Sequence, residues 1–139
     1  MNSSEIVDTI AGFTLFADLS RAELEAAAHT FDEEWFGAGQ RILRQGFSGS
    51  GFYLILEGEA QVKVDGREIS KLSRGDFFGE ISVLLDEPPT GDVIAITPLR
   101  CLVLARSNLA EWLLSMPPVT LRMLQAELRR LRAASTWRN

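Results

Sequence analysis

Gly75-Asp76-Phe77-Phe78-Gly79-Glu80-Ile81-Ser82-Val83-Leu84-Leu85-Asp86-Glu87-Pro88-Pro89-Thr90-Gly91-Asp92-Val93 is the stretch that decides how this chain reads. Two glycines flank the aromatic pair Phe77 and Phe78, and glycine is the residue that lets a backbone turn sharply or lie close against another group. From Glu80 to Leu85 the apolar residues Ile81, Leu84 and Leu85 fall at helical spacing, and Asp86 with two prolines ends the run. The pattern predicts a helix of barely two turns with those three residues on its apolar side. A helix start leaves backbone N–H groups unpaired and carries partial positive charge. The amides of Gly79, Glu80, Ile81 and Ser82 are therefore candidates to hold a phosphate, and the Glu80 carboxylate to accept from a sugar hydroxyl. Read as structure alone, Glu80 complements its own helix dipole and the two phenylalanines are core.

Around this stretch, from Trp35 to Arg106, short apolar segments alternate with turn signals. They predict strands over Arg41–Arg44, Gly51–Leu56, Ala60–Val64, Glu68–Leu72, Asp76–Phe78, Val93–Thr97 and Leu99–Ala105. Many short strands at such spacing imply a β-sandwich or barrel. Asp65-Gly66 is the strongest hairpin signal, because both residues tolerate positive φ. On the N-terminal side, Ile6, Val7 and Ile10 start a short helix that breaks at Gly12, and Phe16 closes the connector as a core plug. Ser20 with Glu23 forms a capping box for a helix over Arg21–Thr30. On the C-terminal side, Ser107 is the expected N-cap of a helix through Met116, and Pro117-Pro118 opens another.

The composition suits one globular domain: 139 residues, 46% apolar, 24% charged. The apolar runs are too short for a membrane span, and the first residues carry acids and no basic signal region. A net charge of −5 argues against a nucleic-acid-binding surface, although Arg122, Arg129, Arg130, Arg132 and Arg138 gather near the C-terminus. One cysteine, Cys101, sits in an apolar run as core filler and fits a reducing, cytoplasmic setting. The sole histidine, His29, reads as a solvated helix end, so no metal site is expected. Glu80, Asp92, His29 and Cys101 form no nucleophile–base pair at recognisable spacing, so no catalytic residue is assigned.

The run Phe78-Gly79-Glu80-Ile81-Ser82-x-Leu84 resembles the phosphate-binding cassette of the cyclic nucleotide-binding domain family, which includes catabolite activator proteins and regulatory subunits of protein kinase A. Further matches are the glycines Gly39, Gly46 and Gly58 and the Tyr53-x-Ile55 pattern, so the resemblance covers nearly the whole chain. It implies a mainly β fold with flanking helices, a double-stranded β-helix or jelly-roll barrel between N- and C-terminal helices. It also implies that Glu80 contacts the ribose 2′-hydroxyl and that cAMP or cGMP, rather than a resident cofactor, is the ligand. The family's P-R-[ST/A]-A-[ST]-V run reads Pro88-Pro89-Thr90-Gly91-Asp92-Val93 here. Pro89 thus stands where the resemblance expects the phosphate-binding Arg, and Asp92 where it expects a small hydroxyl. Hydrogen bonds to charged groups contribute about 1.5–3 kcal/mol, so losing that Arg weakens cyclic phosphate binding by roughly 10- to 100-fold. Thr90 and Gly91 keep a hydroxyl and a permissive backbone in the loop. Arg44, Arg74, Arg100 and Arg106 are candidates to replace the cation.

Residues 1–116 are expected to form the ligand-binding domain and 117–139 a C-terminal lid or dimerisation helix. Leu121, Leu124, Leu128 and Leu131 follow the spacing of a coiled-coil seam, so the expected partner is a second copy of the chain or an effector protein. The competing reading packs these leucines back on the barrel. The expected function is a stand-alone regulatory module that senses cAMP, cGMP or a related anionic ligand and signals through its C-terminal helix; with the cation lost, the alternative is a ligand-free interaction or scaffold module of the same fold.

Overall fold

The computed structural model describes residues 2–47 and 51–135. Arg138 and the last residues of the expected C-terminal segment lie outside the described residues. The helices are α1 (Ser3–Ile10), α2 (Arg21–Thr30), α3 (Glu80–Leu85), α4 (Leu109–Ser115) and α5 (Pro117–Ser135). The strands are β1 (Asp32–Phe36), β2 (Arg41–Leu43), β3 (Gly51–Glu57), β4 (Ala60–Val64), β5 (Arg67–Leu72), β6 (Phe77–Phe78), β7 (Asp92–Ala95) and β8 (Leu99–Ala105). They pair antiparallel into two four-stranded sheets of order β1-β8-β3-β6 and β2-β7-β4-β5. The architecture is the expected jelly roll with flanking helices.

Strand β3 explains the layering. Its residues Phe52 to Leu56 form an unbroken apolar run because both faces of this central strand are covered. Phe52, Leu54 and Leu56 face a helical layer built from α1, α2, α4 and α5, while Tyr53 and Ile55 face the second sheet. Strand β8 splits the same way, with Leu102 and Leu104 toward the helices and Leu99 and Cys101 toward the second sheet. In the short β6 the split falls on the two phenylalanines, Phe77 to the helices and Phe78 to the barrel interior. Phe16 is fully buried in the helical layer.

The local signals at Ser20–Glu23 and Asp65-Gly66 hold. Ser20 Oγ accepts from Glu23 N–H at 3.2 Å and Glu23 returns the bond to Ser20 N–H at 2.9 Å. Asp65 and Gly66 adopt φ of 52° and 79°, the two left-handed positions of a hairpin turn whose twist matches its strands. Two expectations fail. Asp32–Phe36 is strand β1, which three consecutive acids conceal from propensity. Its pairing with β8 sets Trp35 opposite Arg100, whose guanidinium lies 4.4 Å from the indole centre and 3.2 Å from Glu33. Ser107 does not cap α4; it lies within a short 3₁₀ turn over Arg106–Asn108, and Asn108 precedes the helix without a side-chain bond.

Helix α5 carries two stripes. Val119 and Met123 are buried in the main core and Ala126 packs against it, so the division at 116/117 separates chain segments, not cores. Leu121, Leu124, Leu128 and Leu131 are all more than half exposed. At 3.6 residues per turn the two stripes point roughly 150° apart. The reading in which these leucines pack back on the barrel is therefore ruled out for this chain.

Candidate functional site

A cavity of about 690 Å³ opens between β5, α3, the loop before β7 and the C-terminal part of α5. Gly79 leads into α3 with φ 92° and ψ −13°, a left-handed conformation that glycine adopts without strain. A Cβ at this position would lie 2.2 Å from the Gly51 carbonyl oxygen. This contact with β3 fixes the angular setting of α3, and Glu80 with Ser82 then turns inward, 3% and 5% exposed. Ile81, Leu84 and Leu85 face solvent, the reverse of the apolar side expected from spacing. Two turns carry too little hydrophobic periodicity to outweigh a backbone contact at the helix start.

Glu80 is the electrostatic centre. Its Oε1 accepts from Arg130 Nη1 at 3.1 Å, and the same nitrogen donates to Glu127 Oε1 at 2.9 Å. Arg130 Nη2 donates to the Phe77 carbonyl at 3.1 Å while the guanidinium lies 4.5 Å from the Phe77 ring centre. Glu80 Oε2 is buried without a hydrogen-bond partner. Burial, then hydrogen bonding to and repulsion from Glu127, pushes the Glu80 carboxyl up to about 8, against the opposing pull of Arg130.

That shift makes a prediction. Between the ordinary value of 4.5 and about 8 the folded state holds a proton that the unfolded chain releases, so stability falls as pH rises through that window. The penalty is on the order of a few kcal/mol at the alkaline end. Urea denaturation of Glu80→Gln should show a shallower pH slope than the parent across this range. Equal slopes would show that Glu80 titrates normally.

The loop after α3 is stapled from inside. Ser82 Oγ donates to the Glu87 carbonyl, Glu87 N–H returns a bond to Ser82 O at 3.1 Å, and Gly46 N–H donates to Pro89 O at 2.9 Å. The Ser82 hydroxyl is thereby committed to the loop. The earliest intrahelical bond of α3 runs from Val83 N–H to Gly79 O at 3.3 Å, and no side chain caps the helix start. Gly79, Glu80, Ile81, Ser82, Pro89, Thr90 and Gly91 all line the cavity. Pro89 is buried there, and Gly91 passes so close to β4 that a Cβ would lie 2.8 Å from Lys63 O.

Asp92 does not line the cavity. Its Oδ1 accepts from Gln45 N–H at 2.7 Å and its Oδ2 lies 3.7 Å from Arg41 Nε, because β7 turns this side chain toward β2. Asp92 therefore places no repelling carboxylate in the cavity. None of the four arginines named from sequence supplies the missing cation. Arg44 stacks over Phe47, Arg74 over Phe13, Arg100 pairs with Glu33 and Trp35, and Arg106 bonds Asp86 and Ser82 O. The cationic residues of the lining are Lys71 on β5 and Arg130 on α5. Sequence carried one signal for Arg130: it continues the 4-3-4 spacing of Val119, Met123 and Ala126.

His29 and Cys101 stand apart from the cavity. The His29 ring Nδ1 lies 2.7 Å from the Glu25 carbonyl, and the Cys101 thiol is pushed up to about 12 by burial and by Glu34. Among the described residues no cluster of His, Cys, Asp or Glu could hold a metal ion, and no helix is long and apolar enough to cross a membrane.

Comparison with known proteins follows the same geometry. Residues 33–115 match the family model of the cyclic nucleotide-binding domain. The chain is 34% identical over 115 residues to the cGMP-dependent protein kinase egl-4 of Caenorhabditis briggsae, covering 78% of this chain and 15% of that protein. It is 34% identical over 102 residues to the cAMP-dependent protein kinase regulatory subunit of Eremothecium gossypii, covering 73% and 22%. The regulatory domain of Toxoplasma gondii PKA, solved with cAMP, superposes with a TM-score of 0.76 at 27% identity, covering 90% of this chain and 49% of that one. The chain thus spans less than a quarter of the length of either kinase-related protein. With a cassette on α3, a buried carboxylate at its start and the match across both sheets, the chain belongs to the cyclic nucleotide-binding domain family.

Proposed function

We propose that this domain is a regulatory module that captures cAMP or cGMP through its ribose and reports the capture by moving α5. The observation that carries this reading is Glu80 Oε2, buried without a hydrogen-bond partner on a residue that lines the cavity. Such an oxygen costs free energy until a partner reaches it, and a ribose 2′-hydroxyl, which both donates and accepts, serves the carboxyl in either protonation state. The amides at the start of α3, the Thr90 hydroxyl and Lys71 then face the cyclic phosphate, while Ala133 and Ala134 of α5 border the cavity on the side left for the base. Arg130 ties α5 to the other oxygen, Glu80 Oε1, so a ribose on Oε2 alters that pair and moves α5 at the same point. A cytoplasmic location fits the buried, unpaired Cys101 thiol.

Isothermal titration calorimetry against both cyclic nucleotides tests the reading. Saturable binding is expected, and Glu80→Ala should weaken it by at least about tenfold, the value of one hydrogen bond to a charged group. Unchanged affinity in a folded Glu80→Ala variant would remove the ribose contact. Buried Pro89 and the Arg130–Glu80 pair favour one other reading, a ligand-free interaction module. No heat at millimolar ligand would select it.

The exposed stripe Leu121, Leu124, Leu128 and Leu131 completes the proposal as a homodimer seam or a contact for an effector protein. Sedimentation equilibrium should show a dimer that the double change Leu124→Glu, Leu128→Glu converts to monomer. A parent protein that is monomeric at every concentration tested would leave the stripe to an effector.

A further inference from the structure

A second cavity, about 360 Å³, lies between the segment after α1 and the opposite flank of α5. Four arginines line it: Arg74, Arg122, Arg129 and Arg130. Its one acidic lining residue is Asp76, and Asp76 Oδ2 already accepts from Ser73 N–H at 2.9 Å. Arg122 is held by both oxygens of Asp18, at 2.7 and 3.1 Å. Arg74 stacks on Phe13, 5.7 Å from the ring centre, and has no carboxylate partner among the described residues. Neither has Arg129. Two cations without a carboxylate partner, Arg74 and Arg129, thus sit beside two more on a chain of net charge −5.

We infer that this cavity binds a small multiply charged anion of the pyrophosphate class, and that Arg130 couples it to the nucleotide cavity. Planar guanidinium forks match phosphate oxygens two at a time, and Arg74 is preorganised by its stacking on Phe13. The coupling follows from position: Arg130, Phe77 and Asp76 line both cavities. An anion that draws Arg130 toward itself takes it from Glu80, and conversely an Arg130 freed from Glu80 becomes available to the anion. Reciprocity of this kind is a thermodynamic requirement once two sites share a group. Occupancy of the second cavity thereby changes the pairing of the carboxyl that faces the ribose. Binding at this cavity stands without the nucleotide reading, because pyrophosphate has neither ribose nor base.

Calorimetric titration of the full chain with inorganic pyrophosphate at low salt tests it. Saturable binding of one anion per chain is expected, weakened at least tenfold in the double variant Arg74→Gln, Arg129→Gln. Both side chains are exposed, so the variant keeps its core, which circular dichroism checks. Glu80→Ala removes this acceptor from Arg130 and should tighten pyrophosphate severalfold, a change that general surface attraction would not produce. Adenosine diphosphate binding more tightly than pyrophosphate, with the excess lost in the same double variant, assigns the anion to a nucleotide; equal binding assigns it to the free anion. Absence of binding, or binding indifferent to the double variant, overturns the inference and leaves an adventitious ion only.

Discussion

Gly79→Ala is expected to cost about 2–6 kcal/mol of stability and to abolish capture of cyclic nucleotide. The added Cβ would sit 2.2 Å from Gly51 O and 3.3 Å from Tyr53 Cδ1, on a backbone whose φ of 92° already disfavours any side chain. Left-handed strain costs about 1–3 kcal/mol and overpacking about as much again. Relief by movement is blocked, since Gly51 lies in β3 and pairs across the sheet with Ala105. The variant's remaining course is to push α3 outward, which withdraws Glu80 from the cavity. Urea denaturation and nucleotide titration of the same sample read both effects. A loss under 1 kcal/mol with binding intact would show that the close approach to Gly51 is not needed.

Phe52→Ala should destabilise by about 3–5 kcal/mol, the usual range for removing a buried aromatic ring. Phe52 is completely buried at the point where β3 meets the helical layer. Its ring lies 6.1 Å from Phe31, 5.8 Å from Phe77 and 6.3 Å from Trp112, so truncation opens space that four elements would have to fill together. Fluorescence-monitored unfolding measures the loss. A variant within 1 kcal/mol of the parent would mean that the helices repack freely over the sheet, against the close packing described for this layer.

Those two residues also show what the sequence made legible. Gly79 and Phe52 stand out because positive φ and a run of buried apolar residues each leave a residue-level signature. The capping box at Ser20 and the Asp65-Gly66 turn are legible for the same reason, since each is decided within four residues. The orientation of α3 is not local. It is set by contact between Gly79 and a strand 28 positions earlier, and so Ile81, Leu84 and Leu85 point outward against their spacing. Strand β1 is concealed because its acids are stabilised by partners on β8, Arg100 above all. The cassette positions from Gly79 to Gly91 could be named from the motif, whereas the direction of Asp92 and the arrival of Arg130 depend on elements far apart in the chain. The cations that line the cavity, Lys71 and Arg130, come from β5 and α5, outside the cassette motif.

The two stripes of α5 have a mechanical consequence. A rigid rod held along one side moves as a whole: any tilt that loosens Val119 and Met123 from the barrel carries the exposed Leu121–Leu131 edge with it by a similar amount. With Arg130 near the free end and the buried anchors near the start, the helix resembles a lever whose pivot lies at the Pro117 corner. The cavity therefore acts on the far end of the lever, where a small force has its greatest turning moment about the corner. Whatever docks against the outer edge, a second copy or an effector, would sense the cavity's state as a change of angle instead of a change of surface chemistry.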